Sequence, residues 1–140
     1  MSIEENKGIA ERFAQVWSAR GLHLVDELAA PDIVVSYPIP PEPMRGTEAF
    51  KAFLSDLVKG LPDVTVTVDE TIAEGEKVAC RWTMTGTHDG PLFGFPATGK
   101  QVQISGFTHY RIVGGKVVEE TGAGNSLGLL QQLGAVIGPP

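Results

Sequence analysis

The chain has a single cysteine, Cys80, in 140 residues. No disulfide can form within it, which fits a reducing, cytoplasmic setting. Its three histidines, His23, His88 and His109, lie far apart with no HxH or HExxH spacing, so no metal site is expected. Cations are scarce: 11 Lys and Arg against 17 Asp and Glu give a formal charge of −6. That excludes a domain-wide basic footprint for nucleic acid or anionic lipid. No apolar run approaches the roughly 18–20 residues of a membrane-spanning helix. The opening Met1-Ser2-Ile3-Glu4-Glu5 is acidic and is not expected to act as a secretory signal. What is present is ordinary for a soluble globule, 42% hydrophobic and 20% charged, and one domain over residues 1–140 is expected.

The N-terminal third reads helical. Ser2 and Glu5 have the spacing of a capping box. Ile9, Phe13, Val16 and Trp17 then share one helix face, with Gly21 as the stop. Leu24, Val25 and Leu28 make a second short helix ended by Pro31, and Asp32–Tyr37 reads as a strand. Pro38-Ile39-Pro40-Pro41-Glu42-Pro43 has four prolines in six residues and must be a restricted loop. A third helix opens at Gly46-Thr47-Glu48, buries Phe50, Phe53, Leu54, Leu57 and Val58, and ends at Gly60.

Strands follow. Val64, Val66 and Val68 alternate with polar residues. Lys77–His88 is a second strand, with Val78, Cys80, Trp82 and Met84 on its inner face and Arg81 outside. Asp89–Gly99 is a loop. Lys100–Val113 is a third strand, Gly114-Gly115 a tight turn, and Lys116 to about Ala123 a fourth. Leu127, Leu129, Leu130 and Leu133 suggest a terminal helix, and Gly138-Pro139-Pro140 a loose end. Helices followed by an antiparallel meander make an α+β fold. N-terminal helices packed in a curved, mostly antiparallel sheet would form a cone with an internal pocket.

Several segments together resemble one family. Gly86-Thr87-His88-Asp89-Gly90 and Gly94-Phe95-Pro96-Ala97-Thr98-Gly99-Lys100 are similar to the GTHxG…GxPxTGK loop of SnoaL-like polyketide cyclases, or ester cyclases. Leu61-Pro62-Asp63, Arg81-Trp82, Tyr110-Arg111, Gly115–Glu119 and Gly128–Gly134 match in the same order. The resemblance spans roughly Glu4 to Gly134. It implies the cystatin/nuclear transport factor 2-like cone, an intramolecular aldol ring closure driven by an acid/base carboxylate, no cofactor, and a homodimer. In that family the carboxylate lies in a pattern like E-x-W-x-x-x-D before the terminal helix. Here the stretch is Glu119-Glu120-Thr121-Gly122-Ala123-Gly124-Asn125, so Thr121 stands at the tryptophan position and Asn125 at the aspartate position. An amide cannot take the proton; inside the pocket, Asn125 could orient a carbonyl or stabilise an enolate.

Other residues must then supply the chemistry. Strand parity places Val102, Ile104, Gly106, Thr108, Tyr110 and Ile112 inside, and Gln103, Ser105, Phe107, His109 and Arg111 outside, unless a bulge intervenes. Tyr37, at the position where the similar ketosteroid isomerases carry their base, is a hydrogen-bond donor or acid, or an amphipathic cap on the cavity mouth. His109 is a candidate acid/base by residue type, though parity turns it outward. Glu119 and Glu120 are adjacent, so one faces in. An inward Glu120 would be the only strand carboxylate in the cavity, its pKa raised by desolvation; a solvated hairpin-end glutamate is the plainer alternative. Phe13, Trp17 and Trp82 form an aromatic wall for a flat ligand or simply pack the core.

The expected catalytic set is therefore Asn125, Tyr37, His109 and Glu120. The expected substrate contacts are Phe13, Trp17, Trp82, Thr108 and Tyr110. The expected activity is a cofactor-independent cyclisation or isomerisation of a small hydrophobic carbonyl compound. The alternative is a binding protein of the same fold that lost its base. The outer sheet face, with Arg81, Thr83, Gln103, Ser105, His109 and Arg111, is the expected homodimer surface; no nucleic-acid or membrane partner is expected.

Overall fold

A computed structural model of the protein describes residues 2–135; the loose end expected at Gly138–Pro140 lies outside the described residues. Helix α1 (Ile3–Ala14) starts on the expected capping box: the Glu5 N–H donates to Ser2 Oγ at 3.0 Å and the Ser2 N–H to Glu5 Oε1 at 3.3 Å. The helix ends well before Gly21. The chain tightens into a 3-10 turn at Gln15–Trp17, because its polar groups are taken up by the next layer. Gln15 Nε2 donates to the Val66 carbonyl at 3.1 Å, and the Val66 N–H donates to Ser18 Oγ at 3.0 Å. These bonds fix Trp17 between the helices and the sheet.

Helix α2 (His23–Leu28) leads into β1 (Ala29–Ser36), which begins earlier than the expected Asp32. Pro31 is tolerated inside it because the pairing is irregular between Ala29 and Val34, where no regular ladder bond is lost. A short strand, β2 (Met44–Arg45), was not expected; it pairs with β1 after the proline loop. Helix α3 (Thr47–Gly60) lies where the apolar stripe predicted it. Then come β3 (Thr65–Glu74), β4 (Lys77–Thr87), β5 (Gln101–Val113), β6 (Lys116–Gly124) and the terminal helix α4 (Ser126–Gln132).

The six strands form one curved sheet in the order β2-β1-β6-β5-β4-β3. All neighbours are antiparallel except β1 and β6, which run parallel. The helices pack on the concave face. One apolar cluster joins Phe13, Val25, Ile33, Phe50, Leu54, Val78 and Tyr110. A second joins Leu57, Leu61, Val66, Trp82, Met84, Val102 and Leu129. Trp17 packs against both, and an apolar cavity opens beside it.

The pairing of β5 with β6 is irregular at one place. Arg111 of β5 pairs with Glu119, but its neighbour Ile112 pairs with Val117. Val118 is thus an extra residue on β6, a β-bulge. Val117 and Glu120 consequently both face inward and are fully buried, while Glu119 is exposed.

Candidate functional site

The cavity is lined mainly by apolar side chains from every layer, including Phe53 and Leu57 of α3, Val66 of β3, Met84 of β4, Ile104 of β5 and Leu129 of α4. Pro38, Ile39 and Phe93 bring the two loops to its wall. Two of its polar lining groups meet. Tyr37, just beyond β1, and Thr108 of β5 bring their hydroxyls to 2.8 Å of each other. Trp82 Nε1 donates to Thr108 Oγ1 at 2.8 Å. Among the described residues, no Lys, Arg or His lines the cavity.

Glu120 sits directly behind this pair. The Tyr37 hydroxyl donates to Glu120 Oε2 at 2.6 Å, and Trp17 Nε1 donates to the same oxygen at 2.9 Å. Oε1 has no partner among the described residues. Burial in an apolar surround pushes the carboxyl up from its ordinary 4.5 to about 7; the bonds from Tyr37 and Trp17 restrain the rise. Burial and the neighbouring Glu120 charge hold the Tyr37 and Tyr110 phenols far above their ordinary range. A free tyrosinate at neutral pH is therefore ruled out on energetic grounds.

Two glycines make room for this arrangement. Gly122 of β6 faces Thr108 in the ladder. A methyl group there would stand 2.6 Å from Tyr37 Cε1 and 2.7 Å from Thr108 Oγ1. Gly106 of β5 likewise leaves space for the Trp82 ring, 2.7 Å from where its Cβ would be. Distances this short do not occur between real side chains, so any larger residue displaces the hydroxyl pair or the indole. Sequence reading did not single these glycines out. The available signal was that the cross-strand partners of Thr108 and Trp82 are both glycine.

Of the residues expected at the site, Tyr37, Trp17, Trp82, Thr108 and Tyr110 line the cavity, and Glu120 bonds to two of them. Three others lie elsewhere. Asn125 is exposed, and its Oδ1 accepts from the Gly128 N–H at 2.9 Å as the N-cap of α4. The expectation of an amide inside the pocket is therefore corrected: the residue before a helix was claimed by the helix's unpaired N–H groups. Phe13 is fully buried against Phe50 and Tyr110, at ring-centroid distances of 6.2 and 6.1 Å, and is core rather than cavity wall. His109 lies on the outer sheet face beside the exposed Ala79 and Thr121, away from the carboxylate.

A family model for SnoaL-like polyketide cyclases matches residues 7–133. The chain belongs to that family. Its members share the nuclear transport factor 2-like cone described above. A candidate SnoaL-like polyketide cyclase from Jannaschia sp. CCS1 superimposes with a TM-score of 0.87 at 26% identity, covering 100% of this chain and 97% of that one. A candidate polyketide cyclase from Acidithiobacillus ferrooxidans gives 0.83 at 32% identity, over 95% and 97% of the two chains. AclR, a candidate hydroxylase from Streptomyces galilaeus, gives 0.85 at 29% identity, over 99% and 87%. No curated protein matches the chain. Structures this similar carry different reaction names, so family membership leaves the reaction to be argued from the site.

Proposed function

We propose that this SnoaL-family protein is an enzyme in which Glu120 takes and returns the proton of an intramolecular aldol cyclisation or isomerisation. One observation carries the reading: a wholly buried carboxylate behind the cavity, with one oxygen held by two donors, the other unpartnered, and a pKa near neutrality. A base works best when its pKa lies near the working pH. The ionised carboxylate accepts the proton removed beside a substrate carbonyl. The resulting enolate adds to a second carbonyl of the same molecule, and the new alkoxide takes the proton back. These steps need only acid–base groups and hydrogen bonds, so the reading calls for no cofactor. An apolar cavity without a cationic side chain suits a neutral, hydrophobic carbonyl compound, because an anion would be desolvated there without compensation.

The test uses α-proton exchange of 2-tetralone, a neutral bicyclic ketone, in D2O, followed by NMR. The protein should accelerate exchange, and Glu120→Gln should lose at least about 100-fold of the acceleration. Full exchange by Glu120→Gln would refute the reading. Quenching of Trp17 and Trp82 fluorescence without any exchange would support a binding protein instead. The outward face of the sheet, which exposes Phe107 and Ile72, is proposed as the homodimer surface.

A further inference from the structure

Glu120 bonds to the cavity wall without itself lining the cavity, so its proton needs a route. We propose that Thr108 is the substrate-facing end of a proton wire, Thr108–Tyr37–Glu120, whose direction is set by whether Glu120 carries a proton. This rests on Glu120 being the base.

The direction follows from counting donors. An indole N–H can only donate. Trp82 Nε1 therefore fixes Thr108 Oγ1 as an acceptor at 2.8 Å, and Trp17 Nε1 fixes Glu120 Oε2 as an acceptor at 2.9 Å. With Glu120 ionised, the Tyr37 proton points at Oε2. The Thr108 proton must then point at Tyr37 Oη, since that contact is 2.8 Å and Tyr37 has no second proton. Thr108 is left with one free lone pair. With Glu120 protonated the order reverses: Oε2–H donates to Tyr37, Tyr37 to Thr108, and the Thr108 hydroxyl proton is released toward the cavity. One buried proton thus changes the cavity wall from hydrogen-bond acceptor to donor.

The transfer balances. The substrate C–H bond breaks and its electron pair stays on the carbon as the enolate. Its proton goes to Thr108 Oγ1, the Thr108 proton to Tyr37 Oη, and the Tyr37 proton to Glu120 Oε2. No hydroxyl is left ionised, which suits a Tyr37 phenol held far above its ordinary range. The return step runs the same bonds backward. The other titratable groups facing Glu120 are Tyr110 on β5 and Cys80 on β4. Burial raises both, which leaves Glu120 as the group that titrates near neutrality.

The chain has two tryptophans, so the indole N–H region of a 15N–1H spectrum contains one signal for each ring. Trp17 touches Glu120; Trp82 reaches it only through two hydroxyls. Both signals should titrate together with a midpoint near 7. In Tyr37→Phe and Thr108→Val, Trp17 should still titrate while Trp82 does not. A Trp82 signal that is flat in the wild type, or that still titrates in both variants, overturns the wire. In the tetralone assay Thr108→Val should lose about 100-fold of the exchange and its pH midpoint, while Thr108→Ser should keep the midpoint. If Thr108→Val exchanges normally and Glu120→Gln does not, the carboxylate reaches substrate directly: the wire fails and the base assignment stands. If Glu120→Gln exchanges normally, the base assignment fails.

Discussion

The Tyr37 hydroxyl lies 2.6 Å from Glu120 Oε2: Tyr37 follows the end of β1, which runs parallel to β6 with Val35 paired to Glu120. The phenol joins a carboxylate sealed from solvent to the apolar cavity. Removing the hydroxyl should leave the fold intact, because the ring packs against Trp17 at a centroid distance of 5.1 Å. Tyr37→Phe should keep its near-ultraviolet circular dichroism and lose at least about 10-fold of tetralone exchange.

Glu120 makes folding stability depend on pH. Its pKa is about 7 in the folded protein against 4.5 for the ordinary side chain. Between those values the folded state holds a proton that the unfolded state has released, so this contribution weakens as pH rises through that window. The difference corresponds to about 3 kcal/mol. Urea unfolding of Glu120→Gln should show a flatter profile between pH 4.5 and 7, and relatively greater stability above pH 7.

The same titration acts on catalysis with the opposite sign. Exchange requires the ionised carboxylate, so the rate should rise with pH through a midpoint near 7 and level off above it. A rate independent of pH from 5 to 9 would contradict the assignment.

Gly122→Ala should push Tyr37 and Thr108 apart, since the added methyl falls 2.6–2.7 Å from both. Overpacking of this kind costs about 1–3 kcal/mol. Exchange should fall more than the stability loss explains, measured on protein shown by calorimetry to be fully folded.

Asn125→Ala should behave in the contrary way. Losing the bond to the Gly128 N–H should lower stability by about 1 kcal/mol while exchange stays within about twofold of wild type.

Phe107 is 66% exposed in the middle of the outer sheet face and Ile72 is 62% exposed on β3. Phe107→Arg should convert a dimer to a monomer in light scattering at micromolar concentration. A wild-type monomer would remove the dimer proposal.

The sequence by itself determined most of the elements, because periodicity and turn chemistry are local, but not the short strand β2 or the early end of α1. The capping box at Ser2 and Glu5, the stripe of α3, and the alternation through Cys80, Trp82 and Met84 all report which face is buried, and the structure keeps each. Alternation also sufficed to put Thr108 and Tyr110 inside and His109 outside. It could not choose between Glu119 and Glu120. Val117 is buried, so a regular strand would have carried Glu119 inward. The bulge at Val118 shifts the register by one and brings Glu120 in its place. Nothing local demands that bulge; it arises where β6 must pair with β1 on one side and β5 on the other. Likewise, only the packed fold brings Trp17, Tyr37, Trp82 and Thr108 to one carboxylate, across as many as 103 positions of chain between Trp17 and Glu120. Low dielectric, which raises the glutamate toward neutrality, and fixed donors, which restrain the rise and hold the carboxylate, are properties of that assembly and of no single segment.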